Sequence, residues 1–157
     1  MEEKVKVLYV DDEDNNLLSF KAVFRMKYKV FTAISAHLGL EILDENPDIQ
    51  VVITDQRMPD ITGVEFLKMM IEKHPNPVRI MLTGFSNHSD TIDAVNLGKI
   101  FSYLSKPWEE KHLGDTIIKA IEKFNEEDAI RKKAEKTEQA ERVSDQMEFL
   151  LRQKLLS

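Results

Sequence analysis

Five short apolar runs, at 5–10, 30–33, 51–54, 78–83 and 100–104, are separated by longer stretches in which apolar residues return every three or four positions. The short runs predict strands buried on both faces, and the returns between them predict helices that cross over a sheet. Leu17, Leu18, Phe20, Val23 and Phe24 predict a first helix that Asp14 caps, while Leu38, Leu40, Ile42 and Leu43 predict a second that ends before Pro47. A third is expected from Val64, Phe66, Leu67, Met70 and Ile71, with Thr62 as cap, the Pro-Asn-Pro at 75–77 as stop, and Gly63 allowing close backbone approach at its start. Thr91, Ile92, Ala94, Val95 and Leu97 predict a fourth that ends at Gly98. The fifth begins after Pro107, with Leu113, Ile117, Ala120, Ile121 and Phe124 on its core face.

Strand and helix in alternation predict an α/β fold, a flavodoxin-like doubly wound (βα)5 domain. Right-handed crossovers in the parallel order 2-1-3-4-5 place strands 1 and 3 side by side at the switch point, where such sheets bind ligands beyond the carboxyl ends of their strands. Asp11 and Asp12 follow the first run, Asp55 the third and Lys106 the fifth, so the same topology gathers four charges at one edge. Three carboxylates that close repel one another unless a cation neutralises them or one takes up a proton. Mg2+ fits, because it prefers hard oxygen ligands and is commonly held by one or two carboxylates with phosphate oxygens. A carboxylate such as Asp55 can attack a phosphoryl donor and form an acyl phosphate, with the metal ion and Lys106 offsetting the charge that builds on the equatorial oxygens. Thr83, ending the fourth run, offers a hydroxyl to a phosphoryl oxygen.

Composition adds a boundary. All five glycines and all five prolines lie between Gly39 and Gly114, and residues 1–115 hold 13 Lys and Arg against 19 Asp and Glu, while residues 116–157 hold 9 against 9. The whole net charge of -6 therefore sits in the first part, which argues against a nucleic-acid-binding surface. With 157 residues, 42% of them apolar, the chain has one substantial core and an appendage: a domain over 1–124 and a helical extension over 125–157. The absence of cysteine excludes disulfides and thiolate metal sites. His37, His74, His88 and His112 have no metal-ligand spacing, and no glycine-rich phosphate loop occurs. The apolar stretch near the N-terminus is too short and too acidic in its flanks for a signal peptide, and nothing approaches a membrane span; a cytoplasmic location is expected.

From 109 to 156 only Gly114 interrupts helix-forming composition, and one helix of that length would span about 70 Å, more than a single domain can pack. Ile130, Thr137, Ala140, Met147 and Leu151 follow a rough heptad seam that Lys133 and Ser144 interrupt, and Val143, Met147, Leu150, Leu151 and Leu155 form a stronger stripe near the end. Glu138 with Arg142 and Glu148 with Arg152 are spaced to pair along one face. A parallel dimeric coiled coil is expected, and the uncapped apolar end suggests a further output domain beyond residue 157.

Taken together, DD at 11–12, DQRMPDITG around Asp55, LTG at 82–84 and YLSKPW at 103–108 resemble the receiver domain of bacterial two-component response regulators over residues 4 to 124. The resemblance implies that Asp55 accepts a phosphoryl group from a sensor histidine kinase or a phosphotransfer protein. It further implies that Asp11, Asp12, Asp55 and the backbone carbonyl of Arg57 hold Mg2+. Thr83 would move toward the phosphoryl oxygen, Tyr103 would rotate inward behind it, and Lys106, joined to Pro107 by a cis bond, would pair with the phosphate. The output would be a changed homodimer, through the fourth helix, fifth strand and fifth helix or through the coiled coil, without membrane or direct nucleic-acid contact and without enzymatic turnover. Arg57 and Phe85 depart from the small or polar residues often found beside this site in the family, and are expected to slow loss of the acyl phosphate by screening it from water. The alternative is a Mg2+-dependent phosphohydrolase with an aspartyl nucleophile. Such enzymes typically place a second acid two residues after the first, where this chain has Arg57.

Overall fold

The computed structural model describes residues 3–84 and 99–156. Five strands, β1 (Lys6–Val10), β2 (Lys29–Ala33), β3 (Val51–Asp55), β4 (Val78–Thr83) and β5 (Ser102–Ser105), form one sheet in the order β2-β1-β3-β4-β5. All four pairings are parallel, with Val7 opposite Val30 and Val51, Ile53 opposite Ile80, and Leu82 opposite Leu104. The predicted flavodoxin-like order is thus the observed one. Each predicted run has its strand, with ends displaced by at most two residues.

Helices α1 (Asp14–Phe24), α2 (Ala36–Glu45), α3 (Gly63–Lys73) and α4 (Glu110–Leu156) accompany them. The fourth predicted helix, at 91–97, and Gly98 lie outside the described residues. Period-two alternation along β1 sends Val7 and Tyr9 to one face of the sheet and Leu8 and Val10 to the other. On the first face Leu17, Phe20 and Phe24 of α1 meet Leu113, Ile117 and Ala120 of α4 in a buried cluster. On the second, Ala36 and Leu43 of α2 pack with Val64, Phe66, Leu67 and Met70 of α3. Each fully buried Leu, Ile or Phe side chain contributes on the order of 2 kcal/mol by leaving water, so two such faces hold the central strands.

Two local expectations change. Glu13, not Asp14, is the N-cap residue of α1, and its side chain makes no capping bond; Asp14 is the first helical residue. The end is ordered instead by Asn16 and Leu17 amides that donate to the Glu13 carbonyl, and the Asp14 carboxylate acts on the positive end of the helix dipole. Leu18 is 67% exposed, because the buried stripe follows Leu17, Phe20 and Phe24 at spacings of three and four. Ser35 caps α2 by accepting from the Leu38 amide, and Thr62 caps α3 by accepting from Glu65, as predicted for Thr62.

The contacts divide the chain into compact units, Met1–Phe124 and Asn125–Ser157, with α4 running through both. In the second unit the Arg142 guanidinium donates to Glu138 at 3.3 Å and that of Arg152 to Glu148 at 2.8 Å, the pairs expected from their spacing. Ile130, Val143, Met147, Leu150, Leu151 and Leu155 are exposed in this single chain. No helix among the described residues is long and apolar enough to cross a membrane.

Candidate functional site

The carboxyl ends of β1 and β3, adjacent at the middle of the sheet, deliver Asp11 and Asp55 side by side. Asp11, Asp12 and Asp55 each offer a carboxylate oxygen within 4.8 Å of the others; Asp11 and Asp55 are buried and Asp12 is exposed. Lys106, just past β5, reaches between the buried pair, with its Nζ 2.9 Å from Asp11 Oδ2 and 3.2 Å from Asp55 Oδ2. The four charges predicted to converge do converge.

Asp11 is held from several sides. Its Oδ2 accepts from the Tyr9 hydroxyl at 2.7 Å and from Asn16 Nδ2 at 3.1 Å as well as from Lys106, and its Oδ1 accepts from the Glu13 amide at 3.0 Å. Burial pushes the Asp11 carboxyl upward, yet the bonds from Tyr9, Glu13 and Lys106 outweigh it and hold the group below the usual carboxylate range. For Asp55 the balance is opposite. Burial, joined by the charge of Asp11, outweighs Lys106 and raises its pKa above the ordinary value. Burial disfavours the Lys106 ammonium, but Asp11 and Asp55 more than compensate and raise its pKa. The pocket therefore keeps one acid firmly ionised, strains the other and holds a full positive charge between them.

The segment after Asp55 is fixed through the start of α3. Gly63 donates to the Gln56 carbonyl at 3.0 Å, Val64 to Gln56 Oε1 at 2.9 Å, and Glu65 to Thr62 Oγ1 at 3.2 Å, so the first three helical amides are all satisfied. Asp60 adopts φ 68°, and the Ile61 amide donates to the Pro59 carbonyl around it, forming a tight γ-turn. Arg57, between these anchors, has an exposed side chain. Thr83 is buried one residue beyond the Asp55–Leu82 pair, and its carbonyl accepts from the Lys106 amide at 2.6 Å. Tyr103 lies opposite Met81 on β5 and packs half-buried against the second core cluster. The Lys106–Pro107 bond is cis, as expected. Phe85 and His88 lie outside the described residues.

Tyr9, Asn16 and Gln56 were not singled out from sequence. Only Tyr9 had a legible signal, since a residue two positions before Asp11 on a strand shares its face.

A parallel α/β domain with an acidic, lysine-bridged pocket at its switch point defines a class whose ligand site lies beyond the carboxyl ends of its strands. The sequence profile described as "Response regulator receiver domain" matches residues 7–118, and the chain belongs to that family, the receivers of two-component systems. The hydrogenase transcriptional regulatory protein HoxA of Cupriavidus necator is 38% identical over 121 residues, covering 77% of this chain and 25% of HoxA. CpxR, a transcriptional regulatory protein of Escherichia coli, is 31% identical over 109 residues, covering 69% of this chain and 45% of CpxR. The chain thus spans a quarter to under half the length of these relatives. A response regulator receiver domain from Clostridium thermocellum shares the fold at TM-score 0.71 and 36% identity, covering 76% of this chain and 95% of that one. The signal receiver domain of an HD domain-containing protein from Pseudomonas fluorescens gives TM-score 0.77 at 26% identity over 82% of this chain and 95% of that one. Receivers of this family bind Mg2+ through acidic residues, and the three-carboxylate cluster, two members buried, suits a hard divalent cation.

Proposed function

We propose that this receiver is switched by phosphorylation of Asp55, with a sensor histidine kinase or a phosphotransfer protein as donor. The observation that carries the reading is the Lys106 ammonium seated between two buried carboxylates whose protonation tendencies are driven in opposite directions. An Asp55 oxygen attacks the phosphorus of a phosphohistidine in line, the P–N bond breaks, and the imidazole leaves with the bonding pair. Asp11, Asp12, Asp55 and the Arg57 carbonyl would hold Mg2+, which when bound offsets charge on the transferring phosphoryl oxygens. Lys106 already carries its proton, so it exchanges its contact with Asp55 for one with a phosphoryl oxygen without any proton transfer. Thr83 supplies a hydroxyl donor, and Tyr103 on the neighbouring strand follows inward. Accepting one phosphoryl group makes Asp55 a site of modification, not turnover.

The units Met1–Phe124 and Asn125–Ser157 serve in this reading as receiver and helical relay. A phosphoryl group shifts a two-state domain only by its differential free energy for the two states, so the relay must pack differently in each. The exposed stripe of Val143, Met147, Leu150 and Leu151 supports pairing with a second copy in a coiled coil. HoxA and CpxR carry transcriptional regulation in their names, and a comparable output is the one proposed to lie downstream of this receiver. The test is incubation with acetyl phosphate and Mg2+, followed by intact-mass measurement. A single phosphate adduct in the wild type and none in Asp55→Asn is expected; an adduct that persists in Asp55→Asn refutes the assignment. Sedimentation with and without beryllofluoride and Mg2+ then reads whether the pocket controls self-association.

A further inference from the structure

Four donors surround Asp11, and they are not equivalent. Lys106 also reaches Asp55, and Asn16, only half-buried and 3.1 Å from Asp11 Oδ2, also donates to Glu13 Oε2 at 3.3 Å. The Glu13 amide is tied to the chain just beyond the site. Tyr9 is different: its side chain is fully buried and its hydroxyl has Asp11 Oδ2, at 2.7 Å, as partner. Its backbone is laddered to β2 on one side and β3 on the other, and its ring packs in the first core cluster, tilted against Phe20 with centroids 4.8 Å apart. Phe20 in turn meets the edge of Trp108, two residues past Lys106, at 6.2 Å.

We propose that Tyr9 is a positioning residue of the cation site, its hydroxyl setting the plane of the Asp11 carboxylate independently of where Lys106 stands. The inference rests on the reading of Asp11, Asp12 and Asp55 as the cation ligands. A carboxylate bonded at Oδ2 by a rigid buried donor and at Oδ1 by a backbone amide has no free rotation left, which is how hydrogen-bonded partners outside the ligand shell preorganise a metal site. Burial of two acids beside one lysine makes that support necessary. Whether Lys106 faces Asp55 or a phosphoryl oxygen, Tyr9 and Asn16 stay on Asp11 Oδ2, and of the two Tyr9 is the fully buried one with the shorter bond.

Tyr9→Phe removes one oxygen and keeps the ring against Phe20. Mg2+ binding to the full chain is followed by calorimetry and by the fluorescence of Trp108, the sole tryptophan. Loss of an outer partner of this kind typically weakens metal binding 10- to 100-fold, so a rise in Kd of about tenfold is expected in Tyr9→Phe. Asn16→Ala, which removes a longer and less buried donor, is expected to raise Kd less. A Tyr9→Phe protein that unfolds more easily in urea but binds Mg2+ like wild type would show a purely structural role and overturn the inference while leaving the cation site intact. A wild type with no saturable Mg2+ binding would overturn the cation site and this inference with it. Should Tyr9→Phe fail to fold, proton NMR of the wild type decides: a slowly exchanging Tyr9 hydroxyl proton that persists with Mg2+ supports the inference, and its loss on Mg2+ addition refutes it.

Discussion

Replacing Gly63 by alanine separates two effects of opposite sign. The backbone at Gly63 does not have positive φ, so conformation does not reserve the position for glycine. Space does. A Cβ there would stand 2.3 Å from the Asp55 carbonyl oxygen and 3.0 Å from both the Asp55 carbonyl carbon and the Gln56 Cα. Carbon meets a carbonyl oxygen at roughly 3.3 Å or more, so the end of β3 and the start of α3 must part by about 1 Å. Two hydrogen bonds cross that gap, from Gly63 to the Gln56 carbonyl and from Val64 to its side chain. Overpacking of this sort costs about 1–3 kcal/mol, and weakening each bond adds up to about 1 kcal/mol. Alanine returns at most about 1 kcal/mol in helix propensity, leaving a net loss of about 2 kcal/mol. Urea denaturation followed by circular dichroism reads that loss. Because the moved atoms belong to Asp55 itself, phosphate uptake from acetyl phosphate should also slow, by about 100-fold for a 1 Å misplacement. A Gly63→Ala protein as stable as wild type or more so, phosphorylated at the same rate, would show that propensity governs the position and refute the steric account.

Asp55→Asn should stabilise the fold near neutral pH. A raised folded pKa means the native state binds the proton more readily than the unfolded one, so ionisation above that pKa costs stability; the advantage of asparagine should shrink as pH falls and Asp55 protonates. Urea midpoints of both proteins between about pH 4 and 8, from the ordinary carboxylate range upward, check this, and a pH-independent gap would count against it. Lys106→Met leaves Asp11 and Asp55 without their shared cation and should cost about 3 kcal/mol, with Mg2+ raising the Tm of the variant more than that of the wild type; equal shifts would mean the lysine and the metal site are uncoupled. Met147→Glu and Leu151→Glu place charge in the exposed stripe of the second unit and should shift the proposed dimer to monomer in sedimentation; a wild type that is monomeric, or association unchanged in the variants, would refute pairing through that stripe.

Much of the site was legible because its parts are tied to strand ends, and strand ends are marked by where apolar runs stop. Asp11, Asp55 and Lys106 could be brought together on strand order alone, since parallel pairing leaves no freedom in which edge they reach. Gly63 was legible as a close approach, though not against which atoms. Apart from Lys106, the donors around Asp11 were not, beyond the shared face that the position of Tyr9 implies. Tyr9 reads as one more core aromatic until its hydroxyl is seen to end on a carboxylate, and Gln56 reads as a polar residue in a loop until its side chain is found holding the first turn of α3. Apolar periodicity carries no information on where a long polar side chain ends. The misassigned cap has a similar origin: Asp14 has the composition of an N-cap, but the Glu13 amide is already drawn to Asp11, and the helix opens one residue earlier than its best capping residue would place it.

The sheet order also separates labour between strands. β1 and β3, which carry the acids, are interior strands hydrogen-bonded on both sides, whereas β5, which carries Tyr103 and leads to Lys106, is an edge strand of four residues laddered to β4 alone. Moving an interior strand means unzipping two ladders; β5 can slide or tilt at the expense of one. The acids therefore follow strands held on two sides, and the residues proposed to follow the phosphoryl group belong to a strand held on one. Amide exchange should show it directly, slow along β1 and β3 and faster along β5, with the contrast sharpening or fading according to the state of Asp55.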